Sequence, residues 1–166
     1  MDCKLKICGV IPESIVDGKG FRYVIFTQGC PHNCPGCHNP QTHDFNAGKW
    51  ADTDKIIDEI SEDPLLKGVT FSGGEPFCQP KPLSLLAKKI HQKKLDVTVF
   101  TGFTYEELIK KNDTDINALL DETDILIDGP FIQKEKDLTL TFRGSRNQRV
   151  IDMKKTRNLG KIVLDE

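Results

Sequence analysis

Cys30, Cys34 and Cys37 fall within eight residues, in the run Gly29-Cys30-Pro31-His32-Asn33-Cys34-Pro35-Gly36-Cys37-His38, at the spacing C-x3-C-x2-C. Three thiolates on one short loop can hold a metal centre and leave one position open. A four-iron cluster has four corners, each wanting a ligand, so three protein thiolates leave one iron free for another molecule. Gly29, Pro31, Pro35 and Gly36 make the segment a compact, irregular turn that can offer backbone N–H groups to cluster sulfides. The same residues admit a second chemistry: with His32, His38 or His43 as a fourth ligand they would make a tetrahedral Cys3His zinc site. Zinc sites usually use two separated pairs of ligands, and this loop has no second pair, but spacing alone leaves both centres open.

A second group follows at Ser72-Gly73-Gly74-Glu75-Pro76. Two glycines permit close backbone approach and positive φ, and Pro76 biases Glu75 towards an extended conformation. Exposed strand-end N–H, C=O and carboxylate groups there would suit the amino and carboxylate ends of an amino acid. A plain strand-to-helix turn has the same composition.

The elements that must position these groups alternate. Tyr23–Thr27, Gly68–Ser72, Val97–Phe100 and Asp124–Asp128 read as strands from their β-branched and aromatic content. Ile56, Ile57 and Ile60 mark one face of a helix over Asp54–Glu62, and Leu83, Leu85, Leu86 and Ile90 mark another, with Pro80 and Pro82 near its start. Thr104-Tyr105-Glu106-Glu107 matches a capping box opening a third helix through Leu108 and Ile109. Leu138, Leu140 and Phe142 alternate with Thr139 and Thr141, which predicts a fifth, half-exposed strand. Strand–helix alternation implies a parallel sheet with right-handed crossovers. At 166 residues the chain is too short for a full eight-fold barrel of about 250 residues. The expected fold is therefore α/β: a partial, open βα barrel with a mostly parallel sheet, in a single domain spanning 1–166. Ligands of such folds gather at the carboxyl ends of strands. Cys30, Gly73, Thr101 and Gly129 each fall just after one of the four strands, which puts four candidate landings on one edge.

Composition bounds the rest. With 37% hydrophobic and 29% charged residues the chain has enough apolar content for a core. A net charge of −2 gives no basic field for nucleic acid. No apolar run is long enough to span a bilayer and Met1-Asp2-Cys3-Lys4 opens no signal peptide, so a cytoplasmic protein is expected, with neither membrane nor nucleic acid as partner. Six cysteines in a reducing compartment read as metal ligands or redox groups rather than a disulfide framework. Cys3, Cys8 and Cys78 lie outside the cluster and are expected to be small buried hydrophobes.

Together and in this order, C-x3-C-x2-C and the Gly-Gly-Glu-Pro segment after the next strand resemble the radical S-adenosylmethionine (SAM) superfamily. Within it, Ile15–Arg22 followed by Phe26-Thr27-Gln28-Gly29-Cys30-Pro31-His32 look like the glycyl-radical-enzyme activating proteins. Cys37–Thr42, Asp128-Gly129-Pro130-Phe131 and Arg143–Arg149 resemble one branch, the anaerobic ribonucleoside-triphosphate reductase activating proteins. The resemblance covers roughly residues 10–152. It implies that Cys30, Cys34 and Cys37 hold three irons of a [4Fe–4S] cluster, whose fourth iron takes the amino and carboxylate groups of SAM. Groups around Gly73, Gly74 and Glu75 would orient the methionine part, and Gly36, Cys37 and His38 would lie against the adenosyl part. An imidazole at position 38 can still stack there, although many members carry Tyr or Phe; His43 stands where a tryptophan often follows Thr42. The implied activity is reductive cleavage of SAM to a 5′-deoxyadenosyl radical, which takes a hydrogen from a glycine of the large subunit of an anaerobic ribonucleotide reductase. A reduced electron donor is required, and no catalytic acid or base. Two alternatives belong to other classes: a radical SAM enzyme acting on a small molecule, and a non-enzymatic zinc-binding module.

Other residues carry weaker signals. Asp128 could bond SAM or a partner, or be a solvent-facing turn residue. Arg143, Arg146 and Arg149 could dock an acidic surface, or be a solvated edge. Lys154, Lys155, Arg157 and Lys161 suit a basic tail. His91, flanked by lysines, is expected to be exposed and inert. Asp17 and Arg22 suit either a structural pair or a wall of the site.

Overall fold

The computed structural model describes residues 4–165. Seven strands form one sheet in the order β3-β1-β2-β4-β5-β6-β7. The four in the middle are β2 (Arg22–Thr27), β4 (Gly68–Gly73), β5 (Asp96–Phe100) and β6 (Ile125–Asp128), all parallel to their neighbours. β1 (Lys4–Ser14) runs antiparallel between β2 and β3 (Lys49–Asp52), and β7 (Arg149–Asp152) closes the other side antiparallel to β6. The first and last strands do not meet, so the sheet is open, as expected of a partial barrel.

Alternation along the strands explains the two faces. Tyr23 and Ile25, Val69 and Phe71, Val97 and Val99, and Leu126 point into the main core. Against them pack Ile56 and Ile60 of α1 (Thr53–Ser61), Leu83, Leu86 and Ile90 of α2 (Pro80–Gln92), Leu108 of α3 (Tyr105–Lys111), Leu119 of α4 (Thr114–Asp121) and Met153 of α5 (Met153–Leu159). Full burial of each of these aliphatic side chains contributes about 1.5–3 kcal/mol. The opposite face is more polar and includes the buried Arg22, Thr70 and Thr98. The Arg22 guanidinium donates to Thr70 Oγ1 (2.8 Å) and to the Val69 carbonyl (3.0 Å), and pairs with Asp96. Thr70 in turn donates to the Asp17 carbonyl at 2.8 Å, so Asp17 and Arg22 are joined through a threonine rather than directly.

Side-chain caps begin the helices, at Thr104 as the sequence predicts. Thr104 and Glu107 form the reciprocal capping box of α3, with side-chain to backbone bonds of 3.1 and 2.9 Å. Asp52, Asp113 and Asp152 cap α1, α4 and α5. The stretch read as a basic tail is thus partly helix α5.

One expected strand is absent. Residues 138–142 are turns: Asp137 captures the Thr139 N–H and hydroxyl, Phe142 has φ +65°, and Leu138 is 85% exposed. Alternation gave the right period, but Arg149–Asp152 takes the place beside β6, and the turns at Asp137 and Phe142 keep this segment off the sheet. Among the described residues no helix is long and apolar enough to cross a membrane.

Candidate functional site

The carboxyl ends of the parallel strands converge on a cavity of about 350 Å³. Cys30, Gly73, Thr101 and Gly129, the four residues read as strand-end landings, all line it. So do Cys34, Cys37, His38 and Gly74. The parallel core produces this: strands running the same way deliver their following loops to the same edge.

The cysteine loop is tied at its base and turned in its middle. Gln28 donates its side-chain amide to the Gln41 (3.1 Å) and Asp44 (2.7 Å) carbonyls, and backbone bonds join Gly29 to Thr42 and Cys30 to His43. Gly29 sits at φ +106°, and a Cβ there would strike the Phe45 ring. Cys34-Pro35-Gly36-Cys37 is a tight turn, closed by a 3.2 Å bond from the Cys37 N–H to the Cys34 carbonyl, with Gly36 at φ +74°. Proline followed by a positive-φ glycine is the type II arrangement. The Asn39 N–H donates to Cys37 Sγ at 3.4 Å. All three cysteines are half-buried and unbridged. Burial pushes the Cys30 thiol up, while a bond from the His32 backbone works against it.

Gly73 and Gly74 let the β4 end pass against the cysteine loop. Gly74 donates to the Thr27 carbonyl and Glu75 to the Gly29 carbonyl, both at 2.8 Å. Glu75 itself departs from expectation. It is fully buried and does not line the cavity. Its carboxylate accepts from the Gly102 N–H (2.8 Å), the Thr101 hydroxyl (2.9 Å) and the Phe77 N–H (3.0 Å), and lies 2.6 Å from His32 Nε2. A carboxylate that draws four donors inward is a bracket between β4, β5 and the cysteine loop, not an exposed acceptor for an amino acid. The His32 ring stacks edge-on against Phe103 at 4.6 Å, and a Cβ on Gly102 would overlap that ring.

His38 is exposed, with its ring 5.0 Å from Phe131 across the cavity wall. Gly36 lies outside the lining, packed towards Gln133. The segment between β6 and β7 supplies residues that the strand pattern gave no reason to pick: Leu140, Phe142, Gly144 and Gln148. Its Arg143 also lines the cavity. Arg149 is neither a dock nor a solvated edge: it pairs with the buried Asp128 and with Glu106. Asp128 is accordingly not solvent-facing, and its carboxylate also accepts from the Tyr105 N–H at 2.7 Å. His91 is engaged as well, 2.8 Å from Asp124 and 3.1 Å from Glu122. Cys78 is exposed rather than buried, Cys8 is half-buried, and Cys3 lies outside the described residues.

The donor set is three half-buried, unbridged thiols on one cavity wall, the soft ligand type that iron–sulfur clusters take. Of the three histidines proposed as a fourth ligand, His32 is committed to Glu75.

The chain is similar to known proteins over most of its length. A family profile described as a 4Fe-4S single cluster domain matches residues 16–151. The anaerobic ribonucleoside-triphosphate reductase-activating protein of Haemophilus influenzae is 35% identical, over 82% of this chain and 91% of that one. The protein of the same name from Vibrio cholerae is 36% identical over the same shares. The pyruvate formate-lyase-activating enzyme of Clostridium pasteurianum is 35% identical over 65% of this chain and 49% of its own. The solved structure of QueE from Escherichia coli overlaps 61% of this chain and 53% of that one, with a TM-score of 0.49 and 18% identity.

Proposed function

The chain belongs to the family of anaerobic ribonucleoside-triphosphate reductase-activating proteins, within the 4Fe-4S single cluster domain, and from that premise we propose that it is the activase of such a reductase. In this reading the whole chain, 1–166, is one unit working in the cytoplasm. Cys30, Cys34 and Cys37 would hold a [4Fe–4S] cluster, with SAM in the same cavity. Bound there, and given a reduced electron donor, cluster and SAM would supply the one-electron reductive chemistry needed to generate a glycyl radical on the reductase.

The chain's own residues position and exclude. The type II turn at Pro35-Gly36 closes the loop from which Cys30, Cys34 and Cys37 all line the cavity. Gly73 and Gly74 present backbone at the cavity wall with no side chain in the way, which suits the methionine part of SAM. Phe131 and His38 offer ring faces for the adenine. Glu75 keeps these two loops in register without touching either ligand. The observation that carries the proposal is the shared cavity: three thiols, a Gly-Gly strand end and two further strand ends line one cleft.

The test begins with anaerobic reconstitution by iron and sulfide. Electron paramagnetic resonance of the reduced protein is then recorded with and without SAM, followed by addition of reductase. A cluster signal that changes with SAM, and a glycine-centred radical on the reductase, are expected. Stoichiometric zinc with no cluster would overturn the reading; SAM cleavage with no radical on the reductase would redirect it to a small-molecule substrate.

A further inference from the structure

Among the described residues, Arg143 of the cavity wall carries the buried side-chain nitrogen left without a hydrogen-bond partner. Its Nε is buried and has no partner among the described residues. One terminal nitrogen donates to the Gln148 carbonyl at 2.9 Å. That bond fixes the guanidinium and leaves the edge formed by Nε and the other terminal nitrogen without a protein acceptor. A buried donor left unpaired is destabilising, and native folds keep few of them. A guanidinium edge is also a rigid two-donor fork, matched to oxygen acceptors.

The loop carrying it is braced from beneath. Gln148 Oε1 accepts from the Gly144 (2.9 Å) and Ser145 (3.2 Å) N–H groups, and its amide donates to the Gly129 carbonyl at 3.0 Å. Asn147 donates to the Pro130 carbonyl at 2.7 Å. Phe142, immediately before, is held at φ +65°, a conformation a bulky residue adopts only when its surroundings impose it. This much fixation around an unpaired cation describes a pre-organised binding group rather than a loose surface side chain.

We propose that the unpaired edge of Arg143 binds an oxygen acceptor of what enters the cavity, and that this acceptor is a main-chain carbonyl of the reductase segment bearing the target glycine. The proposal rests on the activase reading above. Two sources share the chemistry: the carboxylate of SAM and the carbonyls of a polypeptide. Placement favours the second. The thiols and Gly73-Gly74 leave β2 and β4, whereas Arg143 lies in the connection between β6 and β7, at the other side of the parallel strands. Leu140 and Phe142 line the cavity beside it. An apolar wall with one fixed donor pair suits an extended chain, which offers a carbonyl at every residue.

The test uses the reconstituted protein and its purified reductase, with wild type, Arg143→Ala and Arg143→Lys compared. Iron content, SAM affinity and the reductase concentration giving half-maximal glycyl-radical formation are measured on each. Lysine keeps the charge and can still reach the Gln148 carbonyl, but has no planar two-donor edge. Both variants are expected to keep iron and SAM affinity while half-saturation rises tenfold or more. Wild-type half-saturation in both overturns the proposal, and weakened SAM binding at unchanged reductase affinity transfers the acceptor to SAM and overturns it equally. Loss of iron in both variants would assign Arg143 to folding of the loop. A wild type that holds cluster and SAM yet makes no radical on the reductase defeats the activase reading itself, and is recognised because it needs no variant.

Discussion

The buried carboxylate of Glu75 lies 2.6 Å from His32 Nε2, and so joins the end of β4 to the middle of the cysteine loop. His32 stands between Cys30 and Cys34 in sequence, so any movement of this pair moves two of the three thiols. The same carboxylate takes Thr101 and Gly102, making one residue the junction of three strand ends. Replacing Glu75 by Gln turns one acceptor oxygen into a donor facing donors. We expect a loss of about 2–4 kcal/mol in urea unfolding, because buried partners are left unpaired. Iron retained after reconstitution and desalting should fall as well. His32→Ala removes one partner only and should lose less than half as much; equal losses would mean that the histidine, not the carboxylate, organises the loop.

Serine at position 30, 34 or 37 should each abolish stable cluster binding, since hydroxyl oxygen is a poor substitute for thiolate on iron. Alanine at Cys8 or Cys78 should leave iron, sulfide and reductase activation within about twofold of wild type. The measurement is iron and sulfide per chain, with activation assayed on the same samples. Loss of the cluster in Cys78→Ala would bring that exposed thiol into the ligand set.

Alanine at Gly73 or Gly74 should disrupt the site by sterics alone. Gly73 has φ +98°, and a Cβ there would lie 2.6 Å from the Phe26 Cα; one on Gly74 would meet the Gly29 carbonyl group, its carbon at 2.9 Å. Both clashes are with backbone, which cannot rotate away. Each substitution should destabilise by about 2–4 kcal/mol and weaken SAM binding by titration calorimetry. Gly160→Ala is a control of a different kind: it shares the positive φ (+69°) but meets nothing within 4 Å. It should lose only about 1 kcal/mol and leave SAM affinity unchanged.

Arg149 holds the buried Asp128 and the exposed Glu106 together. Arg149→Met strands the Asp128 carboxylate and should destabilise by about 3 kcal/mol at pH 7. The Glu106 part adds a pH dependence. The Arg149 hydrogen bond holds its carboxyl below the usual range. A depressed carboxyl contributes stability above its unfolded pKa of about 4.3 and loses it as pH falls through the folded value. Glu106 is 62% exposed, so screening limits this part to about 0.5 kcal/mol. The wild type should therefore lose stability below about pH 4 slightly faster than the variant, and 1 M salt should erase that difference. A gap between the two that widens on acidification would contradict the pairing.

The sequence by itself determined which side chains are available for chemistry and the edge on which they lie. C-x3-C-x2-C sets three thiols by type and spacing, while leaving an iron–sulfur and a zinc centre both open. The β-branched runs before Cys30, Gly73, Thr101 and Gly129 place those residues at strand ends, because a buried parallel strand is written as a local apolar run. The capping box at Thr104 and the burial of Ile56, Ile60, Leu83 and Leu86 follow from equally local periodicities. What only the tertiary structure decided concerns residues whose partners are remote in sequence. Residues 138–142 alternate like a strand, but the place beside β6 goes to Arg149–Asp152, which lies further along the chain. Glu75 looks like an exposed ligand group until His32, Thr101 and Gly102 arrive from 43, 26 and 27 residues away to take its oxygens. His91 and Asp128, likewise, could be read as idle surface groups only while Asp124 and Arg149 were out of view. Periodicity is written into neighbouring residues, whereas a hydrogen-bond partner across the sheet is supplied only when the chain closes on itself.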